Sequence, residues 1–84
     1  MFLTYILYSR TLRKFYTGHT QDLEQRLLRH NGGKERFTKS GVPWILIHMI
    51  SSETRSEAMK KEKLIKKRGA KRYLNDCEVS FSID

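Results

Sequence analysis

Three extended hydrophobic runs and two helical stripes divide this chain. Residues 3–8 are β-branched, aromatic and aliphatic, which predicts a strand at least partly covered on both faces. A polar, basic turn separates this run from residues 14–17, so the two strands are expected to form an antiparallel hairpin. Gly18 is expected to end the hairpin, because glycine permits positive φ or the close approach of another backbone or a phosphate.

Polar residues mark both ends of the first predicted helix. Asp22 is expected to cap its start, with Gln25 as the reciprocal member of a capping box. The Asn-Gly-Gly sequence at residues 31–33 is expected to stop it. Its buried side is expected to consist of Leu23, Leu27 and Leu28.

Two polar side chains of this helix, Arg26 and His30, fall on an unexpected face. At about 100° per residue they lie beside Leu23 and Leu27 and not opposite them. A purely structural helix would send arginine and histidine to water. Because these two border the face that meets the core, they are candidate functional residues.

A basic loop and a third strand follow. After the loop at residues 34–42, Pro43 sets an extended entry to residues 44–50, the most strand-like run of the chain. The near-continuous apolarity of this run predicts a strand covered on both faces, with Trp44 in the core.

An acidic residue is directed inward on the second predicted helix. The bounds of this helix are Thr54 or Ser56 at its start and about Lys67 at its end. Glu62 follows Ala58 by four residues and precedes Ile65 by three, so it points into the buried stripe that they form. A carboxylate held inward needs a cation, hydrogen bonds or partial exposure in a cleft.

Together these elements predict an α/β fold, with a small three-stranded, largely antiparallel sheet flanked by two or three helices. Gly69 ends the second helix, and residues 70–74 suit a short third one. At 84 residues the chain makes one domain with a limited core, placed at residues 1–76. Residues 77–84 form a tail whose weak alternation suits an added strand or a loosely held end.

Charge and cysteine content narrow the functional class. The net charge of +8, from 17 Lys+Arg against 9 Asp+Glu, favours a polyanionic partner: nucleic acid first, an anionic membrane surface second. Cys77 is the only cysteine, which excludes an internal disulfide and a cysteine-based zinc site and predicts a cytoplasmic setting. No run approaches the roughly 20 apolar residues of a membrane span, and the apolar start lacks the features of a signal peptide.

An ordered set of short motifs runs through these elements. The first is Tyr5-Ile6-Leu7, preceded by Thr4, and the second is Tyr16-Thr17-Gly18, followed by His19-Thr20. Further matching segments are Asp22 to Asn31, Phe37-Thr38-Lys39, Pro43-Trp44, Ser56 to Glu62, and Ile65-Lys66-Lys67. Across residues 3–74 this set resembles the GIY-YIG endonuclease domain, and within it the small stand-alone, single-domain group found in bacteria.

The resemblance implies a divalent-metal-dependent phosphodiesterase that acts on DNA, with one Mg²⁺ or Mn²⁺ ion. It implies that Glu62 binds the metal, that Arg26 is the catalytic arginine and that Tyr5 and Tyr16 are the motif tyrosines. His30 corresponds to a histidine found one turn beyond the arginine in some members. DNA repair or recombination is the kind of process that would use such an activity.

The chain departs from the family pattern at a few positions. Thr4 stands where the first motif has its glycine, and His19 stands where a lysine is common. The asparagine that family members carry near the metal is matched here only by Asn75.

The chemistry of phosphodiester cleavage suits these residue types. Glu62 can hold one hard divalent ion that keeps most of its waters, and Arg26 can fork onto the phosphate oxygens. Tyr5 or Tyr16, with a pKa lowered from about 10 by these cations, can take the proton of the attacking water. A histidine, His30 or His19, can move protons or donate to the phosphate.

Each of these residues also has a purely structural alternative. Tyr5 and Tyr16 are both of a type common in strand cores, and Arg26 can be a solvated helix charge. Glu62 can pair with a lysine one turn away, and His30 can favour the dipole at the helix end.

Basic residues elsewhere are expected to bind the nucleic-acid backbone, which positions DNA without reading its sequence. The predicted contacts are His19, Lys34, Arg36, Lys39 and Lys66. We therefore expect low sequence specificity, with a preference for branched or single-stranded DNA as one form of selectivity. The alternatives are a non-catalytic nucleic-acid-binding module of the same fold, or a subunit that needs a protein partner.

Overall fold

The structure is a computed structural model that describes residues 1–79, so part of the predicted tail, residues 80–84, lies outside the described region. Its elements follow the predicted order, with a short 3₁₀ turn before the last strand. They are β1 (Phe2–Ser9), β2 (Lys14–Thr20), α1 (Leu23–Asn31), β3 (Trp44–Ser52), α2 (Arg55–Arg68) and α3 (Ala70–Asp76). The predicted fold class is confirmed. Among these residues no helix combines the length and apolarity needed to cross a membrane.

The sheet has the order β2-β1-β3, with both neighbours antiparallel to the central strand. The prediction that residues 44–50 form a strand covered on both faces is wrong, because β3 is an edge strand that leaves Ile45 and Met49 exposed. The fully covered strand is β1, in which every residue from 4 to 9 is buried. The pattern of apolar residues indicates how apolar a strand is. The position of that strand in the sheet depends on which strands it pairs with.

Strand β2 continues through Gly18 to Thr20, so the prediction that this glycine ends the hairpin is wrong. Gly18 pairs with Tyr5 across the sheet, and His19 pairs with Thr4. A Cβ atom at Gly18 would lie 2.7 Å from the Tyr5 Oη. Gly18 therefore permits the close approach of another group, and that group is the Tyr5 phenol.

The helix ends follow the predicted caps. Asp22 accepts a hydrogen bond from the backbone N–H of Gln25 at 3.0 Å, and α2 has the equivalent cap at Thr54. Leu28, predicted to be buried, is 63% exposed. At about 100° per residue it lies roughly 140° from Leu23 on the helix circumference, which turns it away from the sheet.

Two hydrophobic clusters cover the two faces of the sheet. Helix α1 covers the face that carries Tyr5 and Leu7, and helices α2 and α3 cover the face that carries Ile6. Thr4, at the position of the first motif's glycine, donates a hydrogen bond to the Ala58 carbonyl oxygen at 2.9 Å and so anchors α2. The two helices that carry candidate site residues are thus attached to the same central strand.

Candidate active site

Tyr5 lies at the centre of the site and has no exposed surface. Its position on β1 directs the ring toward α1, where the Oη atom is 3.1 Å from Nε2 of His30. The absence of a side chain at Gly18 makes room for this ring on the neighbouring strand. Burial against this strand and helix holds the phenol in one orientation.

A chain of hydrogen bonds fixes the orientation of His30. Its Nδ1 atom is 2.8 Å from Oγ1 of Thr38, and that hydroxyl donates to the Glu35 carbonyl oxygen at 3.5 Å. These bonds are all satisfied when His30 is neutral, donates from Nδ1 to Thr38, and accepts from the Tyr5 hydroxyl at Nε2. The indole N–H of Trp44 donates to the Thr38 carbonyl oxygen at 2.7 Å and holds this loop in place.

His30 is therefore a buried partner of Tyr5, and it also lies in the last turn of α1, as the dipole alternative requires. Burial lowers the pKa of His30 below its ordinary value, with the positive charges of Arg26 and Arg29 adding to the effect against the opposing charge of Glu35. The imidazole thus favours its neutral form in the folded protein.

We expect the unfolding free energy to rise with pH through the range in which His30 titrates. Because the folded-state pKa is depressed, the unfolded chain binds more protons there, and stability is lost as pH falls below about 6.5. Urea unfolding at pH 5 and pH 7.5 measures the slope, which should be smaller in His30→Gln. An equal slope in both proteins would contradict this role of the buried imidazole.

Tyr16 completes an aromatic group with Tyr5 and His30. Its ring centroid is 4.9 Å from that of His30, edge to face, and 6.3 Å from that of Tyr5. Unlike Tyr5, Tyr16 keeps part of its surface exposed. Of the two motif phenols, Tyr16 is the one that solvent reaches.

The expectation that nearby cations lower the pKa of Tyr5 is wrong. Burial raises the pKa of Tyr5 well above its ordinary value, and the neighbouring Tyr16 and Glu62 raise it further. A hydrogen bond and the positive charge of Arg26 oppose this rise but do not overcome it. Tyr5 is therefore a neutral phenol that donates a hydrogen bond.

Glu62 lies on α2 with most of its side chain covered. Its Oε1 atom is 2.6 Å from Nδ1 of His19, and its Oε2 atom accepts a hydrogen bond from the Lys66 ammonium at 2.7 Å. Burial alone raises the pKa of Glu62, but the bonds from His19 and Lys66 outweigh it and leave the pKa below its ordinary value. The alternative of a lysine partner one turn away is thus realised, and a histidine partner is added to it.

Arg26 lies between the Tyr5–His30 pair and the His19–Glu62 pair. Its guanidinium hydrogen-bonds to Tyr5 and, together with His19, lines a cavity of about 280 Å³. Within residues 1–79 no carboxylate lies within ion-pair distance of Arg26. Its N–H groups on that side are therefore available to an anion, and the alternative of a merely solvated helix charge does not describe its position.

The edge strand β2 brings the Tyr5–His30 pair and the His19–Glu62 pair together. Side chains alternate along it, so Tyr16 and Gly18 face α1 whereas His19 faces α2 and reaches Glu62. Because β2 has no further strand beside it within the described region, both helices can approach its free edge. Five candidates, Tyr5, Tyr16, Arg26, His30 and Glu62, are brought together there with His19.

The other predicted contacts are placed less closely. Lys34, Arg36 and Lys39 are exposed on the loop that leads to Thr38, and their nucleic-acid contacts stay predictions. Asn75 is exposed on α3 and makes no hydrogen bond to Glu62. Lys66 is bound to Glu62, so a phosphate contact from it requires that ion pair to open.

Two residues of the site carried no assigned role in the sequence interpretation. Thr38 supports His30, and Arg55 lines the same cavity as Arg26. Thr38 lies in an irregular loop that has no periodicity to mark it as buried. Arg55 reads as an ordinary polar residue at a helix start, and its position near Arg26 arises only when α1 and α2 pack on the same sheet.

The donor set fits a single hard divalent ion held by one carboxylate. No group of three histidine, cysteine or acidic residues suited to a metal occurs within residues 1–79. Mg²⁺ is commonly bound through one or two carboxylates together with waters and substrate phosphates. Glu62 suits that mode, provided that Lys66, whose side chain is half exposed, moves from Oε2.

Comparisons with known proteins identify the family of this chain. The model of the GIY-YIG catalytic domain family matches residues 1–75. The UPF0213 protein YsiG of Lactococcus lactis is 35% identical over 81 residues, with 89% of this chain and 77% of that protein covered. A UPF0213 protein of Staphylococcus saprophyticus is 40% identical over 52 residues, with 61% of this chain covered; the chain spans only 63% of that relative's length.

A solved structure extends the likeness to the fold. The solution NMR structure of a UPF0213 protein from Bacillus halodurans has a TM-score of 0.58 to this chain at 28% identity, with 95% of this chain and 88% of that one covered. The family suggested by the motif tyrosines is confirmed by the extent of the match and by the fold. The chain belongs to the GIY-YIG catalytic domain family, a family of nucleases.

Proposed function

We propose that this protein is a divalent-metal-dependent DNA endonuclease with low sequence specificity. The observation that carries the proposal is that Arg26 and His19 line one cavity, while His19 is bonded to Glu62 and Arg26 interacts with Tyr5, the partner of His30. A guanidinium without a carboxylate partner beside a carboxylate and phenols is an arrangement suited to a phosphodiester.

The proposed mechanism divides the work among the residues of the site. Arg26 binds the non-bridging oxygens and stabilises the charge that develops on them. Glu62 would hold Mg²⁺ or Mn²⁺, which supplies charge neutralisation at the phosphate and activation of water. Tyr16, the phenol with exposed surface, takes the proton of the attacking water; as the new P–O bond forms, the P–O3′ bond breaks and the leaving oxygen takes a proton from solvent. Tyr5 stays neutral and holds His30 in place.

DNA binding and opening of the Glu62 ion pair are coupled in this proposal. Lys66 occupies one oxygen of Glu62, and a DNA phosphate offers its ammonium an alternative anionic partner. His19 stays bonded to the other oxygen and keeps the carboxylate in a fixed orientation. Lys66 thus pairs with Glu62 in the free protein and with a DNA phosphate in the complex.

The remaining positive charge positions the substrate. Lys34, Arg36 and Lys39 extend from the loop whose Thr38 holds His30, so phosphates bound there lie next to the site. Such contacts carry no sequence information, which supports selectivity for structure, such as a branch or a single strand, over sequence. We place this activity in the cytoplasm and associate it with DNA repair or recombination.

Replacing Glu62 by glutamine tests the proposal. We expect cleavage of plasmid and branched DNA in Mg²⁺ or Mn²⁺ to fall by about 10²-fold, the scale of removing one electrostatic stabiliser. Glu24→Gln is the matched control, because Glu24 is an exposed carboxylate on α1 and makes no ion pair within the described residues. Equal activity in wild type and both variants would mean that a contaminant cuts the DNA.

A second candidate function is a nucleic-acid-binding module that needs a protein partner for catalysis or lacks catalysis. The occupation of both Glu62 oxygens by His19 and Lys66 favours it, because the carboxylate is not free in the isolated chain. Binding without cleavage across plasmid, branched and single-stranded DNA, in both metals, would support this function over the first.

A further inference from the structure

The cavity beside Arg26 extends beyond the family motifs. Its wall includes Arg26 and His19 at one end and Arg55, the first residue of α2, with Phe2 of β1. Its volume of about 280 Å³ corresponds to roughly nine water molecules at about 30 Å³ each, which leaves room for a hydrated phosphate group. Two guanidinium groups therefore share a small space next to the proposed scissile phosphate.

Arg55 is held in this space by an aromatic ring. Its Cζ atom lies 5.4 Å from the centroid of the Phe2 ring, within the range of a cation–π contact. A contact with an aromatic ring uses none of the N–H donors of the guanidinium in a hydrogen bond to an acceptor, so they stay available to an anion. Among residues 1–79 no carboxylate lies within ion-pair distance of Arg55.

The one acidic side chain in the described cavity wall does not neutralise this pair of cations. Asp22 accepts the backbone N–H of Gln25 and so caps α1. Its charge is directed to the helix terminus, where it is favourable. Two arginines and one capping carboxylate thus line the cavity, a balance that favours an anionic ligand.

We propose that Arg55 binds a second phosphate of the substrate strand, next to the phosphate that Arg26 engages. This subsite rests on the proposed function, because it assigns the neighbouring position of the same DNA strand. Two arginines on separate helices would set the direction of the strand across β2. Arg55 is in this view a substrate-binding residue and takes no part in the chemical step.

The binding test uses fluorescently labelled 20-nucleotide DNA, single-stranded and duplex, with EDTA present so that cleavage cannot interfere. Arg55→Ala should weaken binding about fivefold, the upper range for an exposed ion pair. The slope of log Kd against log salt should fall by about one phosphate contact. Arg10→Ala is the control. It removes the same charge from an exposed residue that follows the opposite end of β1, about 26 Å from Phe2 along the strand.

A kinetic test separates this subsite from the catalytic proposal. In single-turnover cleavage over a range of DNA concentrations, Arg55→Ala should raise the concentration needed for the half-maximal rate about fivefold, whereas Arg26→Ala should lower the maximal rate itself. Arg55→Lys should recover part of the affinity. Unchanged affinity and salt slope in Arg55→Ala, or equal losses in Arg10→Ala, would overturn the subsite.

Failure of the endonuclease proposal gives a different result. In that case the wild-type protein would bind DNA without cutting it, and the binding comparison between Arg55→Ala and Arg10→Ala would still decide whether the cavity holds a phosphate.

Discussion

Replacing Gly18 by alanine is expected to destabilise the protein and to disable the site. The new Cβ atom would lie 2.7 Å from the Tyr5 Oη and 2.9 Å from its Cζ, closer than real contacts allow. Tyr5 has no exposed surface, so the ring can move only by displacing the core or by breaking its bond to His30. Such overpacking costs about 1–3 kcal/mol, which lowers the Tm of a domain this size by roughly 5–20 °C.

A double-mutant cycle identifies the contact responsible. Tyr5→Phe removes the hydroxyl oxygen that is nearest to the new methyl group, so Gly18→Ala should cost less stability in that background. Thermal unfolding of wild type, both single variants and the double variant measures the coupling. Equal costs in the two backgrounds would mean that the Tyr5 hydroxyl is not the atom that requires glycine at position 18.

Replacing Arg26 by alanine is expected to reduce cleavage by about 10²- to 10³-fold, the scale for removing one preorganised donor to developing charge. The expected cause is loss of the fork on the phosphate oxygens. The same change removes the hydrogen bond and positive charge that oppose the raised pKa of Tyr5. Single-turnover cleavage at saturating DNA measures the effect.

Arg29→Ala is the matched control on the same helix. Arg29 carries the same charge but is half exposed and pairs with Glu35 at 3.0 Å, away from the cavity. Its loss should change cleavage at saturating DNA by less than about threefold, since surface ion pairs contribute little. Similar losses from Arg26→Ala and Arg29→Ala would show that Arg26 contributes charge alone and not a fixed geometry.

Local signals predict most of the secondary structure. The caps at Asp22 and Thr54, the break at Gly69 and the continuous apolar run of β1 act within a few residues, and all are observed. The facing of Glu62 toward Ala58 and Ile65 likewise follows from the helix period and is observed.

The position of a strand within the sheet cannot be predicted from such local signals. The apolar run beginning at Trp44 and the run of β1 look alike along the chain, yet the first forms an edge strand and the second the centre. Which strand is covered depends on where α1 and α2 dock, a long-range property. Leu28 differs, because the helix period alone places it roughly 140° from Leu23.

By itself the amino-acid sequence determined the order of the elements, the α/β class and the set of candidate site residues. Only the tertiary structure decided their states: Tyr5 is neutral because it is buried, Glu62 is held by His19 and Lys66, and Arg55 faces the cavity of Arg26. The reason is physical. Helix and strand periods act over a few residues, whereas desolvation, ion pairing and cavity shape arise between residues far apart in the chain.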